Sequence, residues 1–244
     1  MKNKFPLCLC ASVSNLCRHK LIESAFLNYQ PASVNPRTRV KICGITRPED
    51  GAAAARLGVD AIGLVFYAKS PRAVDIKTAQ TVCAALPGFV SVVSLFLNPE
   101  AEWVDEVLAE VPVDLIQFHG AEPADFCRSF NRPYIKALGM ANADLNTMMA
   151  QYHDARSVLL DSHAMGEAGG SGKTFDWNSI PEAFYRRIIL AGGLNPDNIA
   201  AAIRQVRPYA VDLSSGVESA PGIKDVARMT RLMNEVKRVD CESV

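Results

Sequence analysis

Three side chains stand where acid–base chemistry on a small anion could be done. They are Cys43 and Asp161, each at the end of a β-branched or aliphatic run, and Arg72 in a short loop after another such run. Cys43 closes Arg39-Val40-Lys41-Ile42-Cys43 and precedes Gly44, whose missing side chain leaves the thiol approachable. Packing alone would also account for a single thiol, because cysteine is among the most buried residue types. Cys83, among Val82, Ala84 and Leu86, is read that way, and so is Cys127. Asp161 follows Val158-Leu159-Leu160. A carboxylate at the end of so apolar a strand is partly desolvated, which favours its protonated form and suits a general acid. The ordinary alternative, capping of a following helix, fits poorly with the long loop over 162–176. Arg72, in Lys69-Ser70-Pro71-Arg72, either forks onto a carboxylate or lies solvated on the surface. His119 is either catalytic or a hydrogen-bonded support for the mouth of the site.

Glycine-bearing loops supply the second kind of signal. The run Gly169-Gly170-Ser171-Gly172-Lys173-Thr174 resembles a nucleotide-binding P-loop, but that pattern needs glycine where Glu167 stands. Its amides, with Gly170 and Gly172 foremost, can still wrap an anion. Two further turns, Gly192-Gly193 and Ser214-Ser215-Gly216, follow the seventh and eighth strand-like runs. Barrel enzymes build phosphate sites at these two places. Any one of the three could be an ordinary tight turn; together they point to phosphate, with Gly192, Gly193, Ser215 and Gly216 as contacts.

The elements that must position these residues repeat as a unit. Strands are predicted at 39–43, 61–67, 90–96, 115–119, 134–138, 157–161, 187–192 and 210–214, and helical patterns between them include 48–57, 76–86, 101–110 and 196–206. Strands alternating with helices imply parallel pairing through crossovers. Eight such units predict a closed (β/α)8 TIM barrel with outer helices, ahead of an open doubly wound sheet. Side-chain parity supports closure, since successive side chains leave opposite faces of a strand. Lys41 and Cys43 share one face of the first strand, Gln117 and His119 one face of the fourth, and Lys136, Asp161 and Asp212 also stand opposite aliphatic neighbours. A barrel gathers one parity inside, so these polar groups would converge. First and eighth strands are neighbours in a barrel, which predicts a Lys41–Asp212 pair that acts on Cys43 only at longer range.

Composition narrows the class. The 244-residue chain is 49% hydrophobic, enough for one core, and balances 26 basic against 26 acidic residues. That balance disfavours nucleic acid and anionic membrane as partners, and no apolar run nears the roughly 20 residues of a bilayer span. Seven irregularly spaced cysteines fit a reducing, cytoplasmic setting better than a disulfide framework. Cys8, Cys10, Cys17 and His19 lack the C-x-x-C spacing of a zinc site, so no metal is expected. Residues 1–38 hold one acid, Glu23, and a turn-rich close. They read as a disordered extension, a misplaced start or a targeting segment, with 39–244 as the catalytic barrel.

Together these motifs resemble the phosphoribosylanthranilate isomerase family of tryptophan biosynthesis, over Val40 to about Val239. The signatures are Lys41-Ile42-Cys43-Gly44-Ile45-Thr46, Phe66-Tyr67-Ala68-Lys69-Ser70-Pro71-Arg72, Gln117-Phe118-His119-Gly120, Leu160-Asp161, the 169–177 glycine loop, Ala191-Gly192-Gly193-Leu194-Asn195-Pro196 and Val211-Asp212-Leu213-Ser214-Ser215-Gly216-Val217-Glu218. The resemblance implies an Amadori rearrangement of N-(5-phosphoribosyl)anthranilate to 1-(2-carboxyphenylamino)-1-deoxyribulose 5-phosphate, by a monomer or homodimer and without cofactor or metal. It implies Asp161 as general acid at the ring oxygen and Cys43 thiolate as base at C2. It gives Arg72 the anthranilate carboxylate and the three glycine loops the phosphate. A free thiol has a pKa of about 8.5, so the base needs help to ionise, with Lys41 the nearest candidate. Two segments depart from the family pattern, 1–38 and 162–168. Competing readings are a neighbouring barrel such as indole-glycerol-phosphate synthase or a histidine-pathway sugar isomerase, and a silent barrel that senses a phosphorylated metabolite. The former should lack the Cys43, Arg72 and Asp161 combination, and the latter needs no acid–base pair.

Overall fold

The computed structural model describes residues 37–140, 144–162 and 175–242. The cysteine–histidine group of the first 36 residues, the 163–168 segment and the glycines Gly170 and Gly172 lie outside the described residues.

Eight parallel strands close into a barrel: β1 (Arg39–Cys43), β2 (Ala61–Val65), β3 (Ser91–Phe96), β4 (Leu115–Phe118), β5 (Tyr134–Gly139), β6 (Ser157–Asp161), β7 (Ile188–Leu190) and β8 (Ala210–Leu213). β8 pairs with β1, setting Lys41 beside Asp212, and this contact closes the sheet. The outer helices are α1 (Pro48–Leu57), α2 (Ile76–Ala84), α3 (Ala101–Glu110), α4 (Ala124–Arg128), α5 (Leu145–Gln151), α6 (Ile199–Val206) and α7 (Val226–Glu242). Between β6 and β7 the described residues form two 3-10 turns, Trp177–Ser179 and Glu182–Phe184, where the repeat predicts a helix. No helix among the described residues is long and apolar enough to cross a membrane.

Local chemistry explains most boundaries. α1 opens with Pro48 at its first turn, carries Glu49 and Asp50 near its positive end, and stops at Gly58, whose φ of 89° is left-handed. The Asp75 side chain caps α2 by accepting the Thr78 amide at 2.7 Å. That helix ends two residues earlier than the pattern predicts, in a turn before Pro87. α6 begins at Ile199 rather than at 196, because Asn195 and Asn198 turn the backbone first. The Asn195 amide donates to Asn198 Oδ1 at 2.8 Å and the Asp197 amide to Asn195 Oδ1 at 2.8 Å. The sequence pattern predicts no residue range for the helices α4, α5 and α7 or for the antiparallel hairpin of β9 (Glu218–Ala220) and β10 (Ile223–Lys224).

Outward parity packs against the helices through residues such as Ile42, Ile62, Phe96, Ile116, Leu138, Leu160 and Val211. Inward parity is split by height. Val93, Ile135, Ala137, Leu159, Ile189 and Ala210 fill the barrel apolarly, and the polar groups gather above them. Lys136 corrects the parity argument. Ile135 and Ala137 take the interior, so Lys136 points outward and lies fully buried beneath the loop after β4. Its Nζ donates to Glu122 Oε2 and to the Gly120 carbonyl, both at 2.6 Å, so an outward-facing ammonium is tolerated by being paired.

Candidate active site

Strand ends converge on one cavity open to solvent. Cys43, Arg72, Gln117, His119, Asp161, Gly192, Gly193, Asp212 and Ser215 all line it. One wall is apolar, formed by Val65, Leu95 and Tyr67 against Cys43.

The thiol is seated by an absence. A Cβ on Gly63 of β2 would lie 2.7 Å from Cys43 Sγ and 3.1 Å from Lys41 Nζ, so only glycine leaves room for both groups. Gly44 has a further role beside the arginine. Its φ is 73°, and a Cβ there would meet Arg72 Cδ at 2.5 Å, so it makes room for the arginine. Lys41 Nζ donates to Asp212 Oδ2 at 2.9 Å, with both side chains buried. Lys41 is thus paired with Asp212 as anticipated, and its charge acts on the thiol from there. Burial pushes the Cys43 thiol up; Lys41 and Lys224 pull it down, Asp212 pushes it up again, and the balance stays above the ordinary value. Burial also lifts Asp212 above the usual carboxylate range despite Lys41. Lys41 is opposed by burial but held above its ordinary value by Asp212 and the thiol.

Across the mouth, His119 Nε2 stands 3.4 Å from Asp161 Oδ2. The Gln117 Nε2 amide lies 3.0 Å from His119 Nδ1. An amide N–H can only donate, so it selects the tautomer with the proton on Nε2, facing Asp161. Gln117 Oε1 and Asp212 Oδ1 are buried and without a hydrogen-bond partner among the described residues.

The loops after β6, β7 and β8 fit against one another through glycine. Gly192 (φ 83°) lies so close to Ser162 that a Cβ would sit 2.6 Å from the Ser162 amide nitrogen. A Cβ on Gly216 would sit 2.0 Å from the Leu194 carbonyl oxygen. Gly193 and Ser215 line the cavity, and Gly216 packs against Leu194 and Asn195.

Sequence reasoning missed Gly63, Glu218 and Lys224. A glycine inside a strand on the inward parity was a usable signal for Gly63. Glu218 ended a recognised motif without an assigned role. In the structure Arg72 donates from Nε and Nη2 to the two Glu218 oxygens, at 2.8 and 2.7 Å. Lys224 Nζ donates to Glu218 Oε1 at 2.7 Å.

A closed parallel α/β barrel with a thiol, a carboxyl, a guanidinium and glycine turns at its strand ends defines a barrel enzyme with its chemistry at the C-terminal face. The model of the N-(5'-phosphoribosyl)anthranilate isomerase family matches residues 40–235, and the chain belongs to that family. An N-(5'-phosphoribosyl)anthranilate isomerase from Nitrosococcus oceani is 51% identical over 205 residues, covering 84% of this chain and all of the relative. The crystal structure of phosphoribosyl anthranilate isomerase from Thermotoga maritima superimposes with a TM-score of 0.75 at 41% identity, covering 82% of this chain and 99% of that one. A phosphoribosyl anthranilate isomerase solved with reduced 1-(o-carboxyphenylamino)-1-deoxyribulose 5-phosphate gives a TM-score of 0.72 at 38% identity, covering 82% and 99%.

Proposed function

We propose that the barrel, from residue 39 to the C-terminus, isomerises N-(5-phosphoribosyl)anthranilate to 1-(2-carboxyphenylamino)-1-deoxyribulose 5-phosphate in tryptophan biosynthesis. The observation that carries this reading is the meeting, in one cavity, of Cys43 with Asp161, Arg72 and the turns after β7 and β8. The phosphate lies against Gly193 and Ser215, with the 169–174 glycine loop as a further contact. The aromatic ring packs on Val65, Leu95 and Tyr67, and its carboxylate meets Arg72.

Asp161 gives a proton to the furanose ring oxygen while the nitrogen lone pair expels that oxygen from C1, forming an iminium. The Cys43 thiolate then takes the proton from C2. The C2–H electron pair moves into the C1–C2 bond as the iminium bond collapses onto nitrogen, leaving an enol that tautomerises to the ketone. The iminium is the electron sink, so the step needs no cofactor. His119, with Nε2–H toward Asp161, keeps a proton beside the acid. Lys41 gathers positive charge at the thiol, and Asp212 restrains it. The enzyme works in the cytoplasm as a monomer or homodimer.

Turnover of freshly prepared N-(5-phosphoribosyl)anthranilate, followed by loss of its fluorescence, tests this reading. Enzyme-dependent decay with stoichiometric formation of the ketose is expected. Decay no faster than the uncatalysed hydrolysis, with anthranilate as the only product, would refute it and leave a binding barrel.

A further inference from the structure

Arg72 is held before any substrate arrives. Its Nε and Nη2 fork onto the two oxygens of Glu218 at 2.8 and 2.7 Å, which fixes the plane of the guanidinium. A guanidinium carries a second fork, the outward N–H groups of Nη1 and Nη2, which is left for another planar anion. Arg72 lines the cavity, so that fork is available to the substrate.

Glu218 is itself over-determined. It is 6% exposed, and Lys224, 3% exposed, donates to it at 2.7 Å. Burial works against the Glu218 charge, yet Arg72 and Lys224 together hold its pKa below the usual range. Arg228 donates to the Glu218 carbonyl. Lys224 Nζ also donates to the Cys43 carbonyl at 2.7 Å and the Ser214 carbonyl at 3.3 Å. One ammonium thus joins the ends of β1 and β8 to the arginine clamp. The hairpin carrying both residues is pinned to the β1–α1 loop and to the first turn of α1: Thr46 Oγ1 donates to the Gly222 carbonyl at 2.5 Å, and the Lys224 amide to Asp50 Oδ2 at 3.0 Å. Two cations around one carboxylate leave the buried group with a net charge of one positive unit. A second carboxylate on the free fork would neutralise it.

We propose that Glu218, secured by Lys224, is a positioning and specificity residue that presets Arg72 to select substrates bearing a carboxylate on the aromatic amine. The inference rests on the reading that Arg72 binds the anthranilate carboxylate. Glu218 touches no reacting atom and acts through Arg72.

The test compares N-(5-phosphoribosyl)anthranilate with N-(5-phosphoribosyl)aniline, which lacks the carboxylate. Arg72→Ala alone examines the underlying reading: it should weaken kcat/KM for the first substrate and not the second, and equal loss on both would remove that reading and the inference with it. Glu218→Gln keeps the size and drops the charge. It is expected to raise KM for the anthranilate substrate about tenfold with kcat little changed, the signature of lost binding rather than lost chemistry. It should leave the aniline substrate unaffected and add nothing to Arg72→Ala, since the two residues act as one unit. Glu218→Asp, which keeps the charge, should recover part of the loss and carries the same comparison if the glutamine variant does not fold. Equal losses on both substrates, or full additivity with Arg72→Ala while that variant alone still discriminates, would overturn the positioning role.

Discussion

Cys43 works between opposed influences. Burial and Asp212 raise its pKa, and Lys41 and Lys224 lower it. A general base must be ionised, so kcat/KM should rise with pH as the free-enzyme thiol loses its proton, and a raised pKa places that rise on the alkaline side. Asp212→Asn removes an anion and frees Lys41 to face the thiol; the rise should therefore move to lower pH, by about one unit for 1.4 kcal/mol of interaction. A kcat/KM profile that stays put or moves upward would show that Asp212 does not act on the thiol. Gly63→Ala would press a methyl to 2.7 Å from Sγ. Displacing the base in this way should lower kcat about a hundredfold with the fold intact by circular dichroism; activity within twofold of the parent would show that the seat is not needed. Cys43 and Asp161 could be read from the sequence because each ends a strand. Glu218 could not, because its partner Arg72 is 146 residues away, and Lys224 meets the Cys43 carbonyl across 181 residues.

Elements place these residues, and some of that placement depends on buried charge outside the site. Lys136 is fully buried, and it holds Glu122, whose oxygens also accept the Asn98 and Gly120 amides at 2.8 to 3.1 Å. This knot ties the loops after β3 and β4 to β5. Lys136→Met strands the Glu122 carboxylate, and unfolding in urea should show a loss of about 3–5 kcal/mol, the usual cost of breaking one side of a buried pair. A loss below about 1 kcal/mol would mean that the loops do not rely on it. Period-two and helical patterns made the strands and the first three helices legible. The parity rule placed Lys136 inside because it treats every polar residue between aliphatics as inward-facing; β5 instead turns Ile135 and Ala137 to the barrel axis. The short β9–β10 hairpin gave no periodic signal, since strands of three and two residues are too brief to show one.

The whole barrel closes within the described residues. Lys41 pairs with Asp212 across the β1–β8 seam, and the Thr38 amide and hydroxyl donate to Asp240 at 2.9 and 2.8 Å, joining the start of β1 to α7. We propose that residues before the barrel are dispensable to it. A chain shortened to residues 36–244 should unfold within about 2 °C of the parent and keep its kcat/KM, whereas a drop of more than about 5 °C would assign the removed segment a structural part. Closure was legible because eight units and a polar interior parity have few other solutions. In the proposed mechanism Cys43 and Asp161 divide the base and acid work in this cavity. Single-turnover conversion of N-(5-phosphoribosyl)anthranilate by excess enzyme tests this division, comparing the parent with Cys43→Ala and Asp161→Ala. Each variant should still bind substrate and convert it about 10²–10⁴-fold more slowly, as loss of one positioned proton-transfer group requires. Conversion at the parental rate in either variant would contradict the assignment.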